Sequence, residues 1–148
     1  MKIKRKVSVA PMMDCTDRHD RYFLRLISKN VMLYTEMIVS NAIINGDRDH
    51  ILNFNLFEKP LALQIGGSTP KELSDAVKIA EDYGYDEINF NLGCPSKKVQ
   101  KNKFGACLMK EPNLVGDCVN AMKNSPDHPL IKQYVTKVEA GGIWVANS

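Results

Sequence analysis

The sequence predicts an α/β fold of the parallel (β/α)8 TIM-barrel type, with only about the first four βα units present. Strand-like and helix-like segments alternate strictly, which favours a parallel sheet with right-handed crossovers. After the first strand, residues 10–14 read Ala-Pro-Met-Met-Asp, so the Gly-rich turn of a doubly wound dinucleotide-binding sheet is absent. The chain has 148 residues, whereas eight units take roughly 250.

The first two units follow from local patterns. Residues 7–12 predict a strand, after which Thr16 or Asp17 caps a helix. Four apolar residues share one face of that helix: Tyr22, Phe23, Leu26 and Ile27. Residues 33–37 predict the second strand, and a short helical stretch follows near residues 40–44.

The third unit has clear boundary signals. Residues 61–65 form a short apolar run that predicts a strand ended by a Gly-Gly pair. Ser68 or Thr69 then caps a helix with Pro70 in its first turn and Gly84 as its terminator. The apolar stripe of this helix consists of Leu73, Val77 and Ala80.

The fourth unit leads to a cysteine. Residues 87–91 predict a strand, and Cys94 follows on a Gly-Cys-Pro turn. A side chain at this place lies at the carboxyl end of a strand, where α/β proteins carry their chemistry. The helix after it shows apolar residues at helical spacing: Leu114, Val115, Cys118, Val119 and Met122.

The amino-acid composition limits which classes of protein the chain can belong to. Hydrophobic residues make up 44% of the chain and charged residues 25%, as in a soluble globular domain. No apolar run approaches the roughly 20 residues of a membrane helix, and no leader is recognisable, so we expect a cytoplasmic protein without a membrane partner. The four cysteines lack metal-ligand spacing, so neither a metal site nor a disulfide scaffold is expected.

Charge is concentrated beside the Gly-Cys-Pro turn. The formal net charge is only +3, but four lysines fall within seven residues: Lys97, Lys98, Lys101 and Lys103. They place a positive field on the same rim as Cys94. A solvated lysine loop without a partner is the alternative interpretation.

Several blocks, in order, carry a resemblance to a known family. They are residues 9–14, 34–37, 63–67, 85–91 and 91–108. Together they resemble the tRNA-dihydrouridine synthases, closest to the A subfamily, from about residue 7 to residue 124. The most specific of them is the Asn-x-Gly-Cys-Pro-Ser motif followed by Val-Gln and Phe-Gly-Ala-Cys-Leu-Met.

The resemblance implies an FMN-dependent oxidoreductase that uses NADPH to reduce the C5=C6 bond of a uridine in the tRNA D-loop. By similarity, Pro11, Met12 and Met13 line the isoalloxazine, and Gln64 hydrogen-bonds the flavin ring. Asn91 is expected to contact the target nucleotide.

Cys94 matches the family's proton donor, and elementary chemistry agrees. After hydride addition to one carbon, the neighbouring carbon must be protonated by an acid that is still protonated at neutral pH. A thiol with a pKa of about 8.5 meets this requirement, whereas a carboxylic acid is generally ionised. The alternative for any single cysteine is a small buried hydrophobe, the interpretation kept for Cys15, Cys107 and Cys118.

RNA recognition adds a second expectation. The target base must leave its stack to meet a flavin, and Lys97 and Lys98 are expected to contact tRNA phosphates. Asn102 stands where the family usually has glycine, which predicts altered left-handed geometry in this loop.

The tail departs from the family. Residues 1–124 are expected to form the N-terminal half of an FMN-binding barrel, and residues 125–148 a divergent tail without the family's later motifs. The phosphate site of such barrels lies after the last strands and is expected to be absent. Open sheet edges then favour self-association. Two alternatives remain: an inactive remnant that binds RNA or a partner, or a different FMN barrel that reduces a small pyrimidine.

Overall fold

The computed structural model describes residues 7–124. In chain order its elements are α1 (Arg18–Ile27), β1 (Leu33–Tyr34), β2 (Ile38–Val39), α2 (Ser40–Asn45), α3 (Arg48–Leu52), a 3₁₀ helix (Leu56–Glu58), β3 (Leu61–Gly66), α4 (Pro70–Glu81), β4 (Glu87–Phe90), α5 (Lys97–Lys101), a second 3₁₀ helix (Gly105–Lys110) and α6 (Pro112–Lys123). None of the helices in this part of the chain is long and apolar enough to cross a bilayer. The prediction for residues 125–148 lies outside the described residues.

The strands form one parallel sheet whose neighbours follow sequence order. β3 pairs in parallel with β1 and β2 on one side and with β4 on the other. Ser8 forms a parallel bridge to Met32, just before β1. This sequential order is that of a barrel, whereas a doubly wound sheet reverses direction at its centre. The predicted α/β class and parallel sheet are therefore confirmed.

The predicted first strand, residues 7–12, is shorter in the structure. Its sheet bonds are confined to two backbone pairs, Val9 N to Met32 O at 3.0 Å and Met32 N to Val7 O at 3.2 Å. Pro11 has no N–H to continue the ladder. The backbone of Met12 is instead used by a turn that leads into α1.

The predicted second strand, residues 33–37, is a longer strand with a bulge. The register pairs are Leu33 with Leu61, Tyr34 with Ala62, Ile38 with Ile65 and Val39 with Gly66. Residues 35–37 therefore stand opposite only two residues of β3. Thr35 maintains the ladder here, since its N–H donates to Ala62 O at 2.9 Å and its hydroxyl accepts from Gln64 N at 3.0 Å.

The two faces of the sheet carry different residues. On β3, Leu61, Leu63 and Ile65 belong to the main core beneath the helices. Ala62 lies on the opposite face with Met32 and Tyr34 in a small second cluster. Strand alternation places Gln64 on that same inner face, beyond Ala62. The inner face is thus apolar at the amino ends of the strands and polar at their carboxyl ends.

α4 and α6 cover the outer face as the sequence predicts. The α4 stripe is fully buried, and Val115, Cys118, Val119 and Met122 of α6 are buried with it. Thr69 is the N-cap residue of α4, with Pro70 in the first turn. Gly84 follows the helix with φ +75°. Each buried Leu or Val in this layer contributes about 1.5–3 kcal/mol to folding.

α1 packs with its apolar face outward. Asp17 caps the helix, as predicted, and accepts from the N–H groups of His19 and Asp20. The exposed fractions of its four apolar residues are 52% for Tyr22, 59% for Phe23, 62% for Leu26 and 67% for Ile27. The buried side of the helix instead carries two arginines, Arg21 and Arg25.

Hydrogen bonds explain this orientation. Arg21 Nε contacts Glu58 Oε2 at 2.6 Å, and its Nη1 donates to Thr16 O at 2.6 Å. Arg25 donates to four carbonyl oxygens, those of Ser28, Val31, Glu58 and Pro60. Buried guanidinium groups are tolerated where they are paired in this way. The arginines therefore fix which side of α1 faces the sheet.

Candidate functional site

Cys94 lies at the carboxyl edge of the sheet, on a turn that Asn91 shapes. Asn91 N donates to Ile65 O at 2.9 Å, which continues the ladder one residue beyond β4. The Asn91 side-chain oxygen accepts from Gly93 N at 3.2 Å and from Cys94 N at 3.0 Å. Asparagine makes such turns because its short side chain reaches its own backbone. The half-buried Cys94 is therefore held at a fixed place beside the strand end.

A glycine on the next loop holds the same cysteine from the other side. Cys94 O accepts from Ala106 N at 3.1 Å. Gly105 has φ +66°, and a Cβ there would lie 2.7 Å from Cys94 O and 2.5 Å from Val99 Cγ1. Only glycine satisfies both the left-handed backbone and this close approach. The Gly-Cys-Pro and Phe-Gly-Ala-Cys blocks thus form one unit.

The thiol makes one hydrogen bond within residues 7–124. Cys94 Sγ lies 3.6 Å from Ser96 Oγ, with the thiol as donor. Ser96 also caps α5, where its hydroxyl accepts from Val99 N at 3.3 Å.

A chain of side-chain amides joins β3 to the Cys94 turn. Asn91 Nδ2 donates to Gln64 Oε1 at 2.9 Å, and Gln64 Nε2 donates to Asn89 Oδ1 at 2.7 Å. The direction of these bonds follows from the turn, because two backbone N–H groups require the oxygen of Asn91 to face them. The structure therefore brings the predicted residues Gln64 and Asn91 together with Cys94.

The predicted flavin-lining residues lie on the turn before α1. The Thr16 hydroxyl accepts from Met12 N at 3.0 Å and donates to Met12 O at 3.1 Å. Pro11 is half-buried, whereas Met12 and Met13 are 51% and 54% exposed. Because the segment before them pairs in parallel with the sheet, this turn emerges at the same edge as Cys94.

The lysines lie on and after α5. Lys97, Lys98, Lys101 and Lys103 are all exposed. Asn102 does not take the left-handed conformation, since its φ is −94°; Lys103 takes it, with φ +57°. The Asn102 amide donates to Lys98 O at 2.8 Å, so it completes the C-terminal turn of α5.

The remaining cysteines differ from one another. Cys118 is fully buried, as predicted, and burial raises the pKa of its thiol to about 11. Cys15 is exposed, which contradicts the expectation of a buried hydrophobe, because the turn before α1 faces solvent. Cys107 is half-buried. Among residues 7–124, no three His, Cys, Asp or Glu side chains are grouped to hold a metal ion.

A polar cavity of about 440 Å³ lies elsewhere, beside α1, α3 and the first 3₁₀ helix; its lining includes Arg18, His50 and Asn53. It is not at the edge that carries Cys94. There, Asn89 and Asn91 are half-buried, whereas Gln64 is only 6% exposed, so water reaches the inner face at the end of β4 but not at Gln64.

The supporting roles of three residues were not predicted from the sequence. Thr16 and Arg21 shape the Met12 turn, and Thr35 holds the backbone of Gln64. The threonines follow a strand end and precede an acidic residue, a signal for local side-chain bonding to the backbone. Arg21 gives no local signal, because its partner Glu58 is distant in sequence.

Comparison with known proteins gives consistent matches. A family model described as "Dihydrouridine synthase (Dus)" matches residues 8–140. The tRNA-dihydrouridine(20/20a) synthase of Synechocystis sp. is 56% identical over 124 residues, which cover 84% of this chain and 37% of the relative. The protein of the same name from Vibrio parahaemolyticus is 58% identical, with 84% and 38% covered. That from Xanthomonas campestris is 59% identical, with 79% and 35% covered. The chain thus spans little more than a third of these relatives.

Proposed function

Because the chain belongs to the dihydrouridine synthase family, we propose that it carries the first part of the catalytic barrel of a tRNA-dihydrouridine synthase. The reaction is reduction of the C5=C6 bond of a D-loop uridine in tRNA, with FMN as cofactor and NADPH as reductant, in the cytoplasm. The observation that carries the proposal is Cys94, fixed at a strand end by Asn91 and Gly105 and joined to Gln64 by hydrogen bonds.

The amide chain fits the pyrimidine edge of a flavin, which offers both donors and acceptors. Gln64 and Asn89 present such groups on the inner face, and within residues 7–124 no hydrogen bond is seen for Asn89 Nδ2. The exposed Met12 and Met13 provide an apolar surface against the ring. Bound FMN supplies the hydride, and the described residues position its ring.

Cys94 then delivers the proton. Its Sγ–H bond breaks as a C–H bond forms on the carbon next to the one that received hydride, and the electron pair stays on sulfur. Ser96 Oγ, 3.6 Å away, accepts from the thiol beforehand and can rotate to donate to the thiolate afterwards. Because Asn91 and Gly105 fix the backbone on both sides of the sulfur, its position is set before the base arrives.

Lys97 and Lys98 bind the tRNA backbone in this proposal. They are exposed on α5, which starts three residues after Cys94, so phosphates bound there lie next to the reacting base. Such contacts give affinity that falls steeply with salt and carry no base specificity.

The test is a chimera in which residues 7–124 replace the matched segment of the Synechocystis relative. With tRNA that lacks dihydrouridine, FMN and NADPH, mass spectrometry should detect the reduced nucleoside. Cys94→Ala should abolish the product while reduction of the bound flavin by NADPH persists, and Cys107→Ala should leave both intact. Undiminished product from the Cys94 variant contradicts the assignment.

Two measurements on the 148-residue chain distinguish a synthase from an inactive remnant. Its absorbance spectrum with FMN shows whether flavin binds, and gel retardation shows whether tRNA binds. tRNA retardation without bound flavin or product supports the remnant. Oxidation of NADPH by a free pyrimidine, independent of tRNA, supports a different FMN barrel. Self-association through the open sheet edges stays a prediction that sizing of the chain tests.

A further inference from the structure

We propose that Phe104 is a positioning residue, which holds the Cys94 turn in place by anchoring the loop after α5 to the end of β3. The loop, called here the clamp loop, consists of residues 102–106 at the junction of α5 and the second 3₁₀ helix. This inference deepens the proposed function and rests on it in one respect, that proton transfer from Cys94 is the purpose of the arrangement.

Phe104 packs directly on the last residue of β3. A Cβ on Gly66 would lie 3.0 Å from Phe104 Cε2 and 2.9 Å from Met37 Sδ, so both side chains lie against bare backbone, and a side chain on this residue would displace them. Phe104 is only 5% exposed, so its ring is almost completely removed from water. The contact joins the clamp loop to the strand that also carries Gln64.

The next residue of the clamp loop makes the connection to the reacting cysteine. Gly105 lies against Cys94 O, and Ala106 N donates to the same oxygen at 3.1 Å. Because Phe104 and Gly105 are adjacent in sequence, the ring on β3 and the backbone contact on Cys94 move together. The Cys94 turn is thereby fixed from the end of β3 as well as by Asn91 at the end of β4.

The backbone of the clamp loop is strained, and the burial of Phe104 offsets that strain. Lys103 has φ +57°, a conformation that residues with a long side chain rarely adopt. Its own side chain is exposed, so packing of Lys103 does not hold this conformation, whereas the neighbouring ring is buried. Strained backbone persists where its surroundings over-determine it, and it is concentrated near functional sites.

A buried phenylalanine can also serve the core alone, and the two roles differ in what a smaller side chain does. Loss of a core residue destabilises the whole domain, whereas loss of a positioning residue releases the clamp loop and leaves the other helices in place. The chain carries a cysteine that reports each outcome. Cys94 is half-buried at the clamp loop, Cys118 is fully buried on α6, and the exposed Cys15 serves as a reference.

The test measures alkylation of each cysteine by iodoacetamide in the complete 148-residue chain, with mass spectrometry of the peptides. Phe104→Leu should accelerate alkylation of Cys94 at least about fivefold relative to Cys15, because the smaller side chain leaves a gap in the anchor and the loop opens more often. The rate at Cys118 should stay that of the wild type. Phe23→Leu is the matched control, since Phe23 is 59% exposed on α1, and it should leave every rate unchanged.

A second substitution tests the contact itself. Gly66→Ala should also accelerate alkylation of Cys94, because its methyl group presses against the Phe104 ring. When Gly66→Ala is combined with Phe104→Leu, the leucine makes room for the methyl group, so the combined effect should be smaller than the product of the two single effects. Circular dichroism confirms that each variant is folded. An unchanged rate at Cys94, equal acceleration at Cys94 and Cys118, or single effects that multiply would each overturn the proposal.

The chimera with the Synechocystis relative connects the anchor to the reaction. There, Phe104→Leu should lower kcat for dihydrouridine formation about tenfold while NADPH reduces the bound flavin at the wild-type rate, because a displaced donor slows only the protonation step. Product that survives Cys94→Ala refutes the proposed function, whereas the alkylation result for Phe104→Leu still stands. An inactive Cys94→Ala variant together with an unchanged kcat for Phe104→Leu refutes the positioning role.

Discussion

Replacing Asn91 by alanine should destabilise the protein by about 2–3 kcal/mol. The substitution removes the acceptor for the N–H groups of Gly93 and Cys94 and the donor to Gln64 Oε1. Each lost bond costs about 1 kcal/mol when water can reach the orphaned group, as it can at the exposed Gly93 and the half-buried Cys94. Most of the cost falls on the turn, so Cys94 loses its fixed position.

Asn91→Asp is a sharper variant, because it keeps the acceptor and removes the donor. Its carboxylate still accepts from the two backbone N–H groups, but it now faces Gln64 with an oxygen. Rotation of the Gln64 amide by half a turn restores a donor there, and the Asn89 amide must then rotate as well. We therefore expect the free energy of unfolding to fall by less than about 1 kcal/mol. Each hydrogen bond of the amide chain should reverse its donor and acceptor.

Urea denaturation of each variant measures the free energy of unfolding, and the side-chain NH2 signals of Gln64 and Asn89 in ¹H–¹⁵N spectra report the direction of the amides. Asn120, exposed on α6, provides the control, since Asn120→Ala should change stability by less than about 0.5 kcal/mol. The reasoning is refuted if Asn91→Ala is as stable as the control, or if Asn91→Asp leaves the Gln64 and Asn89 signals unmoved.

Three further predictions concern stability. Arg25→Lys should lower the free energy of unfolding by about 2–4 kcal/mol in the same denaturation assay, because one ammonium group cannot reach four carbonyl oxygens. Arg18→Lys, at an exposed position, is the control and should leave stability unchanged. An equal loss in both variants would contradict the role of the buried arginine. Gly105→Ala should lower the free energy of unfolding by at least about 2 kcal/mol, because the new side chain strains the left-handed backbone and clashes with Cys94 O. The rate at which the Cys94 thiol is alkylated should change in the same variant. Stability should fall as pH rises from about 9 towards about 11, because burial raises the pKa of the Cys118 thiol to about 11 and folding therefore favours its neutral form. The contribution lost is up to about 2–3 kcal/mol, and Cys118→Val should flatten this alkaline limb of the stability curve.

Local signals explain why much of the fold could be predicted. The α4 helix is marked by Thr69 and Pro70 at its start and by Gly84 after its end, and its stripe is apolar at helical spacing. Strand β3 is a short apolar run ended by glycine. These features depend on residues close in sequence, so one sequence suffices to read them. The meeting of Gln64 and Cys94 at one edge follows from parallel strands alone.

Features that depend on distant partners were not predicted. The pattern of α1 shows two faces but not which one meets the sheet, and the buried side is decided by carbonyl groups and Glu58 across the fold. The bulge at residues 35–37 depends on the register of β3. The amide chain depends on which way each side chain of the inner face turns, and this is set by backbone groups at the Cys94 turn.

The bulge also determines how this stretch tolerates changes in length. Before it, Tyr34 pairs with Ala62; beyond it, Val39 pairs with Gly66. Deleting one residue between them would turn the end of the strand over and rotate the start of α2, where Ser40 reaches Glu72 at 3.4 Å. We therefore expect homologous sequences to keep the number of residues between Tyr34 and Val39, and a gap in an alignment there marks a chain that has lost this architecture.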